Sequence, residues 1–160
     1  MPGLENAVSR LIDEAAVRDA VAGFAEAASF KQYDAFRTLW ADDGVWTIGA
    51  PYEARVEGPE AIVGLLQKLR DPKEFFLQYA NPGAIVVDGD TAHTRCIVHE
   101  EGRGSDAGFR CHSVTDDVLR RAGDRWVFVS RAFQYIWLDT NRFPGDAFTV
   151  SPLAPLPHAA

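Results

Sequence analysis

Pro72 divides this sequence into two grammars. Before it, apolar residues recur mostly at helical spacing; after it, they alternate as strand residues do. Helices first and an antiparallel sheet afterwards specify the α+β class and exclude an alternating βαβ chain. Leu4, Val8, Leu11 and Ala15 form one stripe, and Val17, Val21, Phe24 and Ala28 a second, offset one. The offset falls at "IDEAA" and predicts a short helix, then a long one ending near Ser29, with Asp13 capping the restart. "YDAFRTLWA" gives a third helix. "GPEAIVGLLQKLR" gives a fourth, with Pro59 at the first helical position, where its missing N–H costs nothing. Ile62, Leu65, Leu66 and Leu69 are its apolar stripe. Between these two helices "VWTI" reads as a short strand.

Beyond Pro72, "EFFLQYANPGAIVV" predicts a strand broken near Asn81-Pro82-Gly83, because proline removes a ladder donor and glycine permits a bend. "DGD" at 88–90 is a hairpin turn signal. "TAHTRCIVHEE", "FRCHSVTDDVLRR" and "RWVFVSRAFQYIWLD" are three long strands. Pairing the first two through "GRGSDA" places His99 opposite His112 and Ile97 opposite Val114, on a face shared with His93 and Val118. The other face carries Thr94, Cys96, Val98 and Glu100 against Cys111, Ser113 and Thr115. On the last strand Val127, Val129, Arg131, Phe133, Tyr135 and Trp137 share a face. The chain reads as a single domain over 1–160, with a core of about 14–138 and an irregular, Pro-rich tail over 139–160.

Composition narrows the function classes. A net charge of −7, with no basic run longer than the Arg pair at 120–121, argues against a nucleic-acid partner. No apolar stretch reaches membrane-spanning length. The first residues carry acidic side chains where a signal peptide needs positive charge, so the expected setting is the cytoplasm. Cys96 and Cys111 fit reduced thiols in that setting.

A strand face of small Ser, Thr and Cys residues, with aromatics and one arginine beside it, is a plausible wall for an apolar small-molecule cavity. Arg131, flanked by Val129 and Phe133 on an inward face, requires an anionic or hydrogen-bonding partner. His93, His99 and His112 with Glu101 lack the tight H-x-H spacing of strand metal sites, so no metal is expected.

The ordered set of helices, "ADDGVWTIG", "GPEAI", "NPGAIVVDGDTA" and "VTDDVLRRAGDRWVFVSR" resembles the SnoaL-like branch of the nuclear transport factor 2-like superfamily. It is most similar to the group with lindane dehydrochlorinases, bile-acid dehydratases and scytalone dehydratases, over roughly residues 14 to 138. The resemblance implies a cone, in which a curved antiparallel sheet wraps the long helix and encloses a ligand cavity. It also implies cofactor-free chemistry. Trp46, in the short first strand, would line or support the cavity. Family members that eliminate water or chloride use an Asp near the end of the long helix and a His on the strand after the last cone helix. Here the Asp position falls on Ser29 and the His position on Leu77 or Gln78, so that pair is missing. Glu26, one turn before Ser29, is a substitute carboxylate, or a solvated helix residue.

The expected function is therefore a cofactor-free lyase acting on a hydrophobic cyclic or aromatic compound, with isomerase and cyclase chemistry open to the same residues. Arg131 would hold an oxygen or developing negative charge. Glu100 or His99 would be the base, and Tyr79 or Tyr135 would donate a hydrogen bond. Trp46, Ser113, Thr115 and Phe133 would shape the pocket, with Tyr135. The rival expectation is a non-catalytic ligand carrier or structural subunit, such as the small subunit of a ring-hydroxylating oxygenase. The apolar outer face with Ile97, Val114 and Val118 predicts a homo-oligomer, a dimer or trimer. Phe143 and Phe148 predict that the tail packs over the cone mouth.

Overall fold

The computed structural model describes residues 2–151. Helix α1 (Pro2–Ser29) and helix α2 (Tyr33–Thr38) lead into strand β1 (Trp40–Ile48) and strand β2 (Ala54–Glu57). Helix α3 (Pro59–Arg70) follows, and then strands β3 (Phe75–Asp88), β4 (Thr91–Arg103), β5 (Gly108–Ala122) and β6 (Arg125–Asp139). The strands form one six-stranded sheet in the order β2-β1-β6-β5-β4-β3. Every pairing is antiparallel except β1 with β6, which is parallel. The sheet is curved and unclosed, a cone around the helices.

The expected break near Asp13 does not occur, because α1 runs unbroken through it. The offset between the stripes has another cause. Val17, Val21, Phe24 and Ala28 are buried against the sheet, whereas Leu4, Val8, Leu11 and Ile12 lie on an exposed overhang. Asp13 marks the point where the helix meets the sheet. Its carboxylate accepts two hydrogen bonds from Arg121, at 2.7 and 3.0 Å, and one from Trp126 Nε1 at 3.4 Å. These bonds hold its pKa below the ordinary carboxylate value.

Strand β3 is also continuous across Pro82, with a register shift between Pro82 and Ile85. It lies at the sheet edge, where a missing ladder donor can face solvent. Phe24 anchors the core. Its ring meets Phe36, Trp46, Phe128 and Trp40 with centroids 4.7, 5.7, 5.8 and 6.1 Å away.

After Asp139 the chain has no regular structure but is held down. Arg103 Nη1 donates to the carbonyls of Phe143 and Gly145 at 3.0 and 2.8 Å, and the Arg110 guanidinium lies 4.6 Å from the Phe143 ring centroid. Gly108 makes room for this return, since a Cβ there would come within 2.1 Å of the Asn141 carbonyl oxygen. Phe143 packs on Phe75 and the two arginines rather than on the cavity, and Phe148 is 84% exposed. The tail therefore does not cover the cone with both phenylalanines; residues 152–160 lie outside the described part.

The two halves of α1 should respond oppositely to truncation. Phe24→Ala should cost about 3–5 kcal/mol of unfolding free energy, while Leu11→Ala should stay within about 0.5 kcal/mol, both measured by denaturant titration. Equal losses would show that the overhang packs as the buried half does.

Candidate active site

The concave side of the sheet and the inner faces of α1 and α3 enclose a cavity of ≈ 180 Å³. Alternation along the strands decides which side chains reach it. The β4–β5 ladder runs without interruption from Thr91↔Arg120 to Arg103↔Gly108, pairing His99 with His112 and Glu100 with Cys111. Glu100 therefore points inward and His99 outward. The neighbouring register on β3 points Gln78 inward and Tyr79 outward, where it is 62% exposed. Tyr79, His99, His112 and Trp137 form a row of rings on the convex face, the two imidazoles 4.8 Å apart.

Six of the residues expected at the site do line the cavity: Arg131, Glu100, Trp46, Thr115, Phe133 and Tyr135. Three do not. Tyr79 and His99 are on the wrong face, and Ser113 points inward but is covered, its hydroxyl donating back to the Val98 carbonyl at 3.4 Å. Glu26 faces solvent. Two irregularities alter the expected faces of β6. A register shift between Val118 and Leu119, opposite Ser130 and Phe128, turns Phe128 inward. Another, opposite His112 and Ser113, leaves Tyr135 inward and turns Trp137 outward.

Arg131 has the partner its burial demands, and it is internal. Its side chain and that of Asp117 are 1% and 0% exposed, with Nε 3.1 Å from Oδ1. Nη2 donates to Asp117 Oδ2 at 3.2 Å and to Thr115 Oγ1 at 3.4 Å. The guanidinium lies 4.0 Å from the Phe24 ring centroid and 5.0 Å from that of Phe128. Nη1 is buried without a hydrogen-bond partner among the described residues. Burial pushes the Asp117 carboxyl above its usual range, and the Arg131 charge opposes that shift.

Glu100 is the second buried carboxyl. Gln78 Nε2 donates to its Oε1 at 2.6 Å, and the Cys111 thiol donates to its Oε2 at 3.3 Å. Loss of solvent raises its pKa above the ordinary value; the bonds from Gln78 and Cys111 and the charges of Lys73 and Arg131 moderate the rise. Gln78 is itself anchored, its backbone N–H donating to Ser29 Oγ at 2.9 Å. Ser29 on α1 and Gln78 on β3 thus touch one another, and the carboxylate beside them comes from β4. Burial raises the Tyr135 pKa, so its hydroxyl stays protonated as a donor.

Sequence reasoning missed Lys73, Arg70, Gln78, Tyr52 and Phe109, all of which line the cavity. For one of them a signal existed. Arg70 follows Leu66 at i+4, so helical periodicity aims it at the core; Lys73 lies three residues beyond the end of α3, and no such periodicity reaches it. Among the described residues no cluster of three His, Cys, Asp or Glu side chains suits a metal ion.

The sequence model of the SnoaL-like domain matches residues 9–132. A type 2 hexachlorocyclohexane dehydrochlorinase (LinA) superposes with a TM-score of 0.77 at 20% identity, covering 90% of this chain and 97% of that one. A scytalone dehydratase-like protein from Novosphingobium aromaticivorans gives a TM-score of 0.74 at 13% identity, covering 96% and 99% of the two chains. A type 3 LinA from Novosphingobium barchaimii gives 0.76 at 18% identity, over 91% and 99%. At these identities the likeness is one of fold. Among curated proteins no sequence is similar enough to count as a match.

Removing half of the buried ion pair should cost far more than removing all of it. Arg131→Met strands the Asp117 charge and should destabilise by about 3–5 kcal/mol, and adding Asp117→Leu should restore much of the loss. Denaturant unfolding of the two variants checks this; a double variant as unstable as the single would show that the charge pairing is not what Asp117 supplies.

Proposed function

The chain belongs to the SnoaL-like domain family, and from that premise we propose that it is a cofactor-free lyase working through Glu100. The carrying observation is a buried carboxyl on the cavity wall, with a raised pKa and both oxygens engaged by Gln78 and Cys111. A general base works best with a pKa near the operating pH, and burial moves Glu100 in that direction. In its ionised form Glu100 takes a proton from a substrate carbon. The C–H electrons become the new double bond, and the bond from the adjacent carbon to its leaving hydroxyl breaks. The same carboxyl then returns the proton to that oxygen, releasing water. Tyr135 and Arg131 Nη1 supply the donors for the oxygen on which charge develops. Trp46, Phe133 and Thr115 hold the hydrophobic cyclic or aromatic skeleton in place.

The second reading is a non-catalytic ligand-binding or structural subunit. It is favoured by the resemblance's missing catalytic pair, whose Asp position falls on Ser29 and whose His position falls on Leu77 or Gln78. Glu100→Gln separates the two. The proposal expects turnover of a cyclic alcohol that can dehydrate to fall at least about a hundredfold, within the range for a lost general base. Stability should move the other way. Between the ordinary value of 4.5 and its raised value, folded Glu100 keeps a proton that the unfolded chain has released. Stability therefore falls as pH rises through that window. Glu100→Gln should melt higher than the parent at pH 7, and the gap should close below about pH 4.5. A variant that is fully active, or less stable at neutral pH, would refute the assignment.

The convex face supports assembly. Ile97, Val86, Ile136 and Trp137 are 54, 60, 63 and 48% exposed there, an apolar surface that a second copy would cover. Light scattering at micromolar concentration should give a dimer or trimer; a monomer would contradict it.

A further inference from the structure

The polar groups around the cavity do not balance. Of its two carboxyls, Asp117 is taken by Arg131, and Glu100 is tied to Gln78 and Cys111. Two further cations, Arg70 and Lys73, line the same space without a carboxylate within ion-pair distance among the described residues. Arg70 is 7% exposed. Its Nη1 and Nη2 donate to the carbonyls of Lys73 and Ser29 at 3.2 and 3.0 Å, but its Nε has no partner. Among the described residues the Lys73 ammonium donates only to the Leu69 carbonyl, and it sits 5.7 and 5.3 Å from the ring centroids of Phe76 and Phe109. Burial lowers its pKa; Glu100, beyond ion-pair distance, opposes the shift, and the Arg70 charge adds to it. Trp46 Nε1 and Arg131 Nη1 are further unpartnered donors on lining residues. Buried donors without acceptors are costly, and they are retained where a ligand completes them.

We infer that the ligand is an apolar carboxylate, its anionic group held by Lys73 and Arg70 and its ring system seated among Phe76, Phe109, Trp46 and Phe133. The inference deepens the lyase reading of the same cavity and rests on it only for the fate of the ligand, not for its binding. The carboxylate is a handle away from the reacting carbon. It fixes the skeleton so that one C–H faces Glu100, which is how binding energy remote from the chemistry becomes rate. It also explains why a chain of net charge −7 keeps unpaired cations inside its cone. They give an anion a locally favourable potential on an otherwise repelling molecule.

The test is a comparison of 2-naphthoate with its neutral isostere 2-naphthamide, titrated against the full chain by calorimetry. The parent should bind naphthoate at least about tenfold more tightly, a step worth ~1.4 kcal/mol, and added salt should weaken naphthoate alone. Lys73→Met should erase the preference, and Lys73→Arg should keep most of it. Equal affinities in the parent, an unchanged preference in Lys73→Met, or binding of neither probe at millimolar concentration would overturn the inference. Glu100→Gln separates the two proposals. A retained naphthoate preference in a variant of unchanged turnover would remove the lyase reading and leave the carboxylate site standing. Lost turnover in that variant, with no naphthoate preference in the parent, would do the reverse.

Discussion

A guanidinium buried beneath the long helix organises this molecule. Arg131 stacks on Phe24, pairs with Asp117 and accepts the cost of desolvation because both contacts are made at once. The pair joins β5 to β6 from the inside, and parallel β1 places Trp46 directly beside Arg131. Phe24 in turn gathers Phe36, Trp40, Trp46 and Phe128 into the aromatic floor on which the helix rests. The cavity lies against that floor, with Phe24, Trp46 and Arg131 on its wall.

The two inward carboxyls follow one pattern. Each accepts a hydrogen bond from a thiol, Cys96 to Asp117 at 3.4 Å and Cys111 to Glu100 at 3.3 Å. Burial holds both thiols protonated, with Cys96 pushed up to about 11, so they serve as small donors rather than nucleophiles. The difference lies in the remaining partners. Asp117 faces a full positive charge, whereas Glu100 faces an amide. One carboxyl is thereby held in a buried ion pair, and the other has an amide and a thiol as its hydrogen-bond partners. Burial raises the pKa of both carboxyls, and what distinguishes them is that Arg131 pairs with Asp117 while Gln78 meets Glu100.

Much of this was legible in the residues. The change of grammar at Pro72 yields the α+β class, and the turn between β4 and β5 yields a register in which His99 meets His112 and Glu100 faces inward. What periodicity could not show was where the ladder slips. The shifts on β6 send Phe128 inward and Trp137 outward, and neither is written in local composition. Tyr79 and His99 were expected at the site from chemistry, and strand parity removed both. Asp13 looked like a helix cap because its neighbours break the stripe; its partners, Arg121 and Trp126, are more than a hundred residues away in sequence. Arg70 sat in plain view at helical spacing, but a basic residue at a helix C-terminus has an ordinary explanation in the helix dipole.

The central claim is that Glu100 carries a raised pKa in the folded protein. A carbon-13 NMR titration of the glutamate side-chain carboxyls, with the Glu100 signal assigned by its loss in Glu100→Gln, measures this directly. The account predicts a carboxyl that titrates clearly above the ordinary 4.5. A Glu100 signal that titrates at or below 4.5 would contradict the account, because a carboxylate fully ionised in mild acid is a structural anion and a poor base.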